Sequence, residues 1–389
     1  MFTLIKNAEV YAPEALGICS ALISGERIAW IGKDFTAEHA LPALNVLDAK
    51  GMILTPGIVD GHVHIIGGGE GGQRMRTPEL LLSDMVKGGV TTVIGVLGTD
   101  DVTRNMSALV AKANGLIEEG VSAWVLTGSY QLPLKTLLGG IREDIVLIDR
   151  IIGVGELALS DHRSSQPSFE AFLSIAAAAR TGGILSGKGG LVNIHMGDGK
   201  RRMEYLIRAA AETEIPISQF VPTHMGRNPY LFEQSREYAK MGGYVDYTTS
   251  TTLPFLEDGE VRASRALKIL LDDGVPSSRI TFSSDGQGSL PSFDENGEFM
   301  GLTIGRVTSV KDELRNAVQL EKIPLEDAIR VVSTTTADHY KLPHKGRIKE
   351  NFDADILLFT DNLELKHVFA RGKMMMKNGE VLAKGTFEE

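Results

Sequence analysis

One cysteine in 389 residues, Cys19, excludes an internal disulfide and fits a reducing compartment. No apolar run approaches the ~20 residues needed to cross a bilayer. Lys6, Glu9 and Glu14 interrupt the first apolar stretch, so no signal peptide is expected. Basic charge is also in deficit: 40 Lys and Arg against 50 Asp and Glu leave a net charge of −10. That balance argues against a general surface for nucleic acid or anionic membrane. What is present, 43% apolar and 23% charged residues, suits a cytoplasmic globular protein with more than one domain. Its 43 glycines imply many tight turns without a low-complexity tract.

Both ends of the chain read as short strands. The first are Phe2–Val10, Ala21–Ser24, Arg27–Ile31 and Asn45–Asp48; the last are Ile356–Phe359, His367–Ala370, Lys373–Lys377 and Val381–Ala383. Turn signals such as Ser24-Gly25-Glu26 and Asn378-Gly379 separate them. Neither end has enough strands for a stable sheet, so the two are expected to combine into one small β-sandwich domain, 1–54 plus 345–389. The Met374–Met376 run is most simply a strand of that domain.

Between the ends, over 55–344, strands alternate with helices. Eight apolar, β-branched runs stand out: Ile53–Val59, Thr92–Leu97, Ala123–Thr127, Ile151–Leu157, Leu191–His195, Gln219–His224, Tyr244–Thr248 and Arg279–Ser284. Helical segments separate most of them, and one more is expected at Pro324–His339. This is an α/β pattern. A (β/α)8 TIM-type barrel suits eight such units, and on periodicity alone a doubly wound sheet fits nearly as well.

A barrel presents its chemistry at the C-terminal ends of its strands. There the first run carries His62 and His64, the fourth Glu156, the fifth His195, the sixth His224 and the eighth Asp285. Residues i and i+2 of a strand share a face, so His62 and His64 can reach one metal. A lone His-x-His, or one histidine after a strand, is commonly structural. Four of the 9 histidines at strand ends, with two carboxylates, are not explained that way. Imidazole with carboxylate suits zinc and related divalent ions in an open, hydrolytic site. Six ligands are too many for one tetrahedral ion and suit two zinc ions sharing a hydroxide, with Glu156 as the bridging carboxylate. The alternative is a single zinc with Glu156 as a buried structural acid. Asp285 can hold a metal while moving a proton from water to a leaving amine. His39, His339, His344 and His367 fall outside the pattern and are expected at the surface or in linkers; His162 adjoins the rim.

The run Thr55-Pro56-Gly57-Ile58-Val59-Asp60-Gly61-His62-Val63-His64 and the late Asp353-Ala354-Asp355-Ile356-Leu357 resemble the amidohydrolase superfamily. Within it, the chain is similar to the isoaspartyl (β-aspartyl) dipeptidase family of metallopeptidases along nearly all its length. The stretches Ile66–Glu70, Arg76–Glu79, Leu97–Asp100, Leu126–Tyr130, Ser160–Ser164, His195–Asp198, Pro222–His224, Ser283–Gly286 and Lys384–Glu388 carry that narrower resemblance.

The resemblance implies hydrolysis of the β-aspartyl amide of a dipeptide, releasing aspartate, by a homo-oligomer. Glu70 would hold the substrate ammonium, and Arg163 and Arg227 its carboxylates, where planar pairing is favourable. Tyr130 would donate to the carbonyl oxygen as charge develops, and Thr99 and Ser289 would add polar contacts. Gly68 and Gly69 would let the backbone approach the ligand. A phosphate cradle is disfavoured at Gly67–Gly72 because no Gly-Lys-Ser/Thr follows. Two departures stand out: Glu156 occupies the place where the family typically has a carboxylated lysine, and the glycine run is one residue short. Two rival readings remain: a cyclic-amide hydrolase in the manner of dihydroorotase or hydantoinase, whose substrate has no ammonium for Glu70, and a non-catalytic scaffold of the same fold.

Overall fold

The computed structural model describes residues 2–36, 41–294 and 298–389. Eight parallel strands surround a common axis: β1 (Ile58–Val63), β2 (Val90–Gly95), β3 (Ser122–Thr127), β4 (Ile151–Leu159), β5 (Leu191–Met196), β6 (Phe220–Thr223), β7 (Val245–Thr248) and β8 (Ile280–Ser283). β1 to β6 form one ladder in sequence order, and β7 pairs with β8. Both remaining seams are bridged by backbone. Met225 N–H donates to Asp246 O at 3.2 Å, Asp285 N–H to His62 O at 3.1 Å, and His64 N–H to Gly286 O at 2.9 Å. The ring decides for the barrel over a doubly wound sheet.

Neighbouring residues on a strand pack into different clusters, as the two faces of a strand require. Ile58, Val93 and Val125 join the large core between strands and helices. Val59, Ile94 and Leu126 join a second cluster, which Ala337, Tyr340 and Leu342 complete. Both faces being covered, the strands are continuous apolar runs without alternation.

The other unit is a sheet of nine strands among the described residues, drawn from both ends of the chain. Phe2–Tyr11 pairs with Ala15–Ser24, with Leu44–Asp48 along its first half and with Ile53–Pro56 along its second. Ile356–Phe359 then pairs with Ile53–Pro56, and the last three strands follow outward. The expected single run Ile53–Val59 is therefore two strands in two sheets. They meet at Gly57, where a Cβ would lie 2.1 Å from Thr91 Oγ1, so only glycine allows the crossing. Buried Lys345 pairs with Asp353 and Asp355, each at 2.6 Å, and anchors the returning chain.

The expected helices form with shifted ends. Pro324–His339 is two helices, Leu325–Val332 and Thr334–His339, divided at Ser333. Three features had no counterpart in the sequence reading: the helices Leu253–Glu257 and Ser309–Gln319, and the hairpin Ser289–Phe293 with Phe299–Ile304. Two histidine expectations need correction. His339 and His367 are buried, because His339 stacks on Tyr244 and His367 sits on an inner strand of the terminal sheet. His344 and His162 are exposed, and His39 lies outside the described residues.

Candidate metal centre and substrate cleft

The strand ends bring all six candidate ligands together. Glu156, fully buried near the end of β4, lies between two groups of imidazoles. Its Oε2 is 3.4 Å from His62 Nε2 and 3.7 Å from His64 Nε2. Its Oε1 is 2.7 Å from His195 Nδ1 and 3.1 Å from His224 Nε2. Asp285 Oδ1 completes the first group, 3.1 Å from His64 Nε2 and 3.7 Å from His62 Nε2. His224 and Asp285 both take left-handed backbone, φ 64° and 53°, a conformation that costs a non-glycine residue about 1 kcal/mol or more and recurs at functional sites.

Three of the four rings are turned by their other nitrogen. His62 Nδ1 faces Asn193 Oδ1 at 3.1 Å, His195 Nε2 faces Asp161 Oδ2 at 3.0 Å, and His224 Nδ1 faces Thr248 Oγ1 at 2.6 Å. Such partners set the tautomer and aim a lone pair at the centre. Two glycines make the room. A Cβ on Gly98 would lie 2.7 Å from His64 Cε1, and one on Gly155 2.8 Å from Asn193 Cβ.

The donor set fits metal ions. Among the described residues, His62 Nε2, Glu156 Oε2 and Asp285 Oδ1 are buried without hydrogen-bond partners, which is costly unless a cation satisfies them. Two ligand groups lie within coordinating reach, His62 with His64 and Asp285, and His62 with Glu156 and His224. The electrostatics agree. Burial opposes charge on His62, yet Glu156 and Asp285 raise it to about 10. Burial also opposes charge on Asp285, which His64, 3.1 Å away, and the other imidazoles nonetheless hold at about 2. Burial, seconded by His195, lowers His224 to about 3. Ionised carboxylates that hold a proton on a neighbouring imidazole attract a metal cation for the same reason.

A cavity of about 570 Å³ opens over this cluster. Gly68, Gly69, Glu70, Thr99, Tyr130, Arg163, Arg227 and Ser289 all line it. Arg163 Nη1 donates to Glu70 Oε1 at 2.6 Å, while its Nε and Nη2 clasp Asp161 at 3.0 and 2.8 Å. Arg227 Nη1 lies 3.0 Å from His195 Nε2. Tyr130 Oη is 2.5 Å from His195 Nδ1, and burial, reinforced by Glu156, raises its hydroxyl well above the usual phenol range. Of the two glycines, Gly69 is the constrained one: at φ 120° its Cβ would meet Met75 O at 2.3 Å, whereas a Cβ on Gly68 meets nothing closer than 3.6 Å.

A family model for the amidohydrolase family matches residues 53–375. The chain belongs to the amidohydrolase family. It is similar, at 44% identity and a TM-score of 0.91, to the β-aspartyl dipeptidase of the thermophilic, keratin-degrading Fervidobacterium islandicum AW-1 solved with the β-Asp-Leu dipeptide; the match covers 98% of this chain and 97% of that one. A second structure of a β-aspartyl dipeptidase from the same organism matches at 41% identity and a TM-score of 0.89, over 98% of each chain. Among curated relatives, an adenine deaminase of Halalkalibacterium halodurans is 26% identical over 97% of this chain, which spans 58% of that protein.

Members of this family are typically metal-dependent hydrolases, and this amidohydrolase carries the ligand clusters for it. Several of its site residues had no assigned role in the sequence reading. Asn193 was detectable, because it lies two residues before His195 and shares its face. Thr248 was detectable as the end of the seventh strand. Arg104, which donates to Ile66 O, Gly68 O and Thr77 O at 2.7, 2.8 and 3.0 Å, holds the glycine loop from a distant segment and left no local signal. Among the described residues, no helix is long and apolar enough to cross a membrane.

Proposed function

We propose that this amidohydrolase is a zinc-dependent dipeptidase that hydrolyses the β-aspartyl amide of isoaspartyl dipeptides and releases L-aspartate. The observation that carries this reading is the convergence of Glu70, Arg163 and Arg227 with the ligand cluster in one cavity. A zwitterionic dipeptide presents one ammonium and two carboxylates to such a set. The similar β-aspartyl dipeptidase solved with β-Asp-Leu supports it.

Two divalent ions, one held by His62, His64 and Asp285, one by His195 and His224, with Glu156 between them, would supply Lewis acidity to the amide carbonyl and the attacking water. Asp285 takes the water proton on its carboxylate and passes it to the departing amine. Tyr130 keeps its phenolic proton, because burial disfavours the phenolate, and offers its O–H as a hydrogen-bond donor to the developing oxyanion. Glu70 receives the ammonium and the two arginines the carboxylates, with Thr99, Ser289 and the backbone at Gly68–Gly69 completing the grip.

Hydrolysis of β-aspartyl-leucine by zinc-loaded protein, with metal content measured on the same sample, tests the reading. Turnover with about two zinc ions per chain is expected. Two ions without turnover would move the substrate to the cyclic amides, and turnover with one ion would remove Glu156 from the bridge.

A further inference from the structure

After Thr248 the chain leaves the barrel, turns through the short helix Leu253–Glu257 and returns beside Arg227. The return is tightly tied. Glu260 N–H donates to Phe255 O at 2.9 Å, and Val261 N–H donates to Gly226 O at 2.7 Å. A Cβ on Gly226 would lie 2.4 Å from Val261 O, so this approach to the residue before Arg227 needs glycine. Both Phe255 and Glu260 line the cavity. Glu260 Oε2 accepts from the Thr251 hydroxyl. The two guanidiniums that act on it are engaged elsewhere, Arg227 facing Asp161 at 3.8 Å and Arg262 pairing with Glu313 at 3.1 Å. A carboxylate in such a wall is better satisfied by a cation brought by the ligand.

We propose that Phe255 and Glu260 form the subsite for the side chain of the released amino acid and select a long basic residue, lysine or arginine. The aliphatic stem runs along the Phe255 ring and the terminal cation meets Glu260, the division of apolar stem and charged head that such side chains favour. This rests on the dipeptidase reading, with Arg227 on the carboxylate of the released residue.

The test compares kcat/KM for β-Asp-Lys, β-Asp-norleucine and β-Asp-Glu in the zinc-loaded enzyme and its variants. The wild type is expected to favour Lys over its uncharged analogue norleucine by about tenfold, the scale of one rim-to-buried charge contact. In Glu260→Gln the ratio falls to near one, mainly through KM for β-Asp-Lys. In Glu260→Lys the preference turns to β-Asp-Glu, a gain that a misfolded variant cannot produce. Equal use of Lys and norleucine by the wild type, with β-Asp-norleucine well turned over, would overturn the subsite and leave the dipeptidase reading standing. No turnover of any of the three would overturn both.

Discussion

The guanidinium of Arg163 and the carboxylate of Glu70 hold one another at 2.6 Å. They are the two residues proposed to receive opposite charges of the substrate, so binding exchanges one ion pair for two. Their side chains are 23% and 34% exposed, and a pair this open contributes ~0–1 kcal/mol to the fold. Glu70→Gln is therefore expected to leave the melting temperature nearly unchanged and to lower kcat/KM for β-Asp-Leu by about 100-fold, mainly through KM. A large drop in melting temperature with normal KM would make the pair structural.

Glu156 divides its two oxygens between two pairs of imidazoles. Glu156→Gln keeps the shape and removes the charge. Bound zinc should fall from about two ions per chain to one or fewer, with turnover down by at least about a thousandfold. Two retained ions and near-normal rates would show that the bridge lies elsewhere.

Asp285→Asn should bind β-Asp-Leu with little change in affinity and lose most turnover, on the order of 100- to 10,000-fold for a lost proton-transfer group. Near-normal turnover in the metal-replete variant would end the proton-shuttle assignment.

Asn193 touches the candidate metal site through His62 Nδ1. Asn193→Ala should cost about 1 kcal/mol of stability and about 10- to 100-fold in zinc affinity. Metal titration against a competing chelator reads the second effect. Unchanged affinity would mean that the His62 ring is held by its packing alone.

His339 is buried against Tyr244, donates from its Nε2–H to Ser218 O at 3.1 Å, and is lowered to about 3, chiefly by burial. Its folded pKa lies below its unfolded one, so the neutral ring contributes stability that is fully present above about pH 6.5. That contribution drains away as pH falls from there toward 3, because only the unfolded chain takes up the proton. Gln has no titratable proton, so His339→Gln should flatten the acid limb of melting temperature against pH. An equally steep limb in the variant would assign the acid sensitivity to other groups.

The barrel was readable in the sequence because each strand, covered on both faces, is a run of apolar residues, and the ligands were readable because they end those runs. The division of Ile53–Val59 between two sheets was not, since nothing in the run's composition marks Gly57 as a crossing between neighbours. Ser309–Gln319 escaped because its polar face is broad, with only Val310, Leu314 and Ala317 as its buried apolar residues. His339 and His367 were misjudged for a related reason: burial of a polar ring depends on partners distant in sequence, here Ser218 for His339. The candidate metal ligands were legible as types at strand ends, while the groups that aim them, Asn193, Asp161 and Thr248, are ordinary polar residues whose meaning lies in what stands opposite.

The sharing of one sheet by both ends of the chain also sets an order of events during synthesis. Ile53–Pro56 receives its outer neighbour only when Ile356–Phe359 arrives, about 300 residues later, a long loop to close. Until then the early strands carry an open edge, which is a template for pairing with other chains. The barrel begins at Ile58, immediately after that edge, and its strands are all made before the missing partner is. A ribosome carrying this chain therefore holds a nearly finished barrel beside an unfinished sheet, and the stretch from Ile356 onward is what ends the exposure.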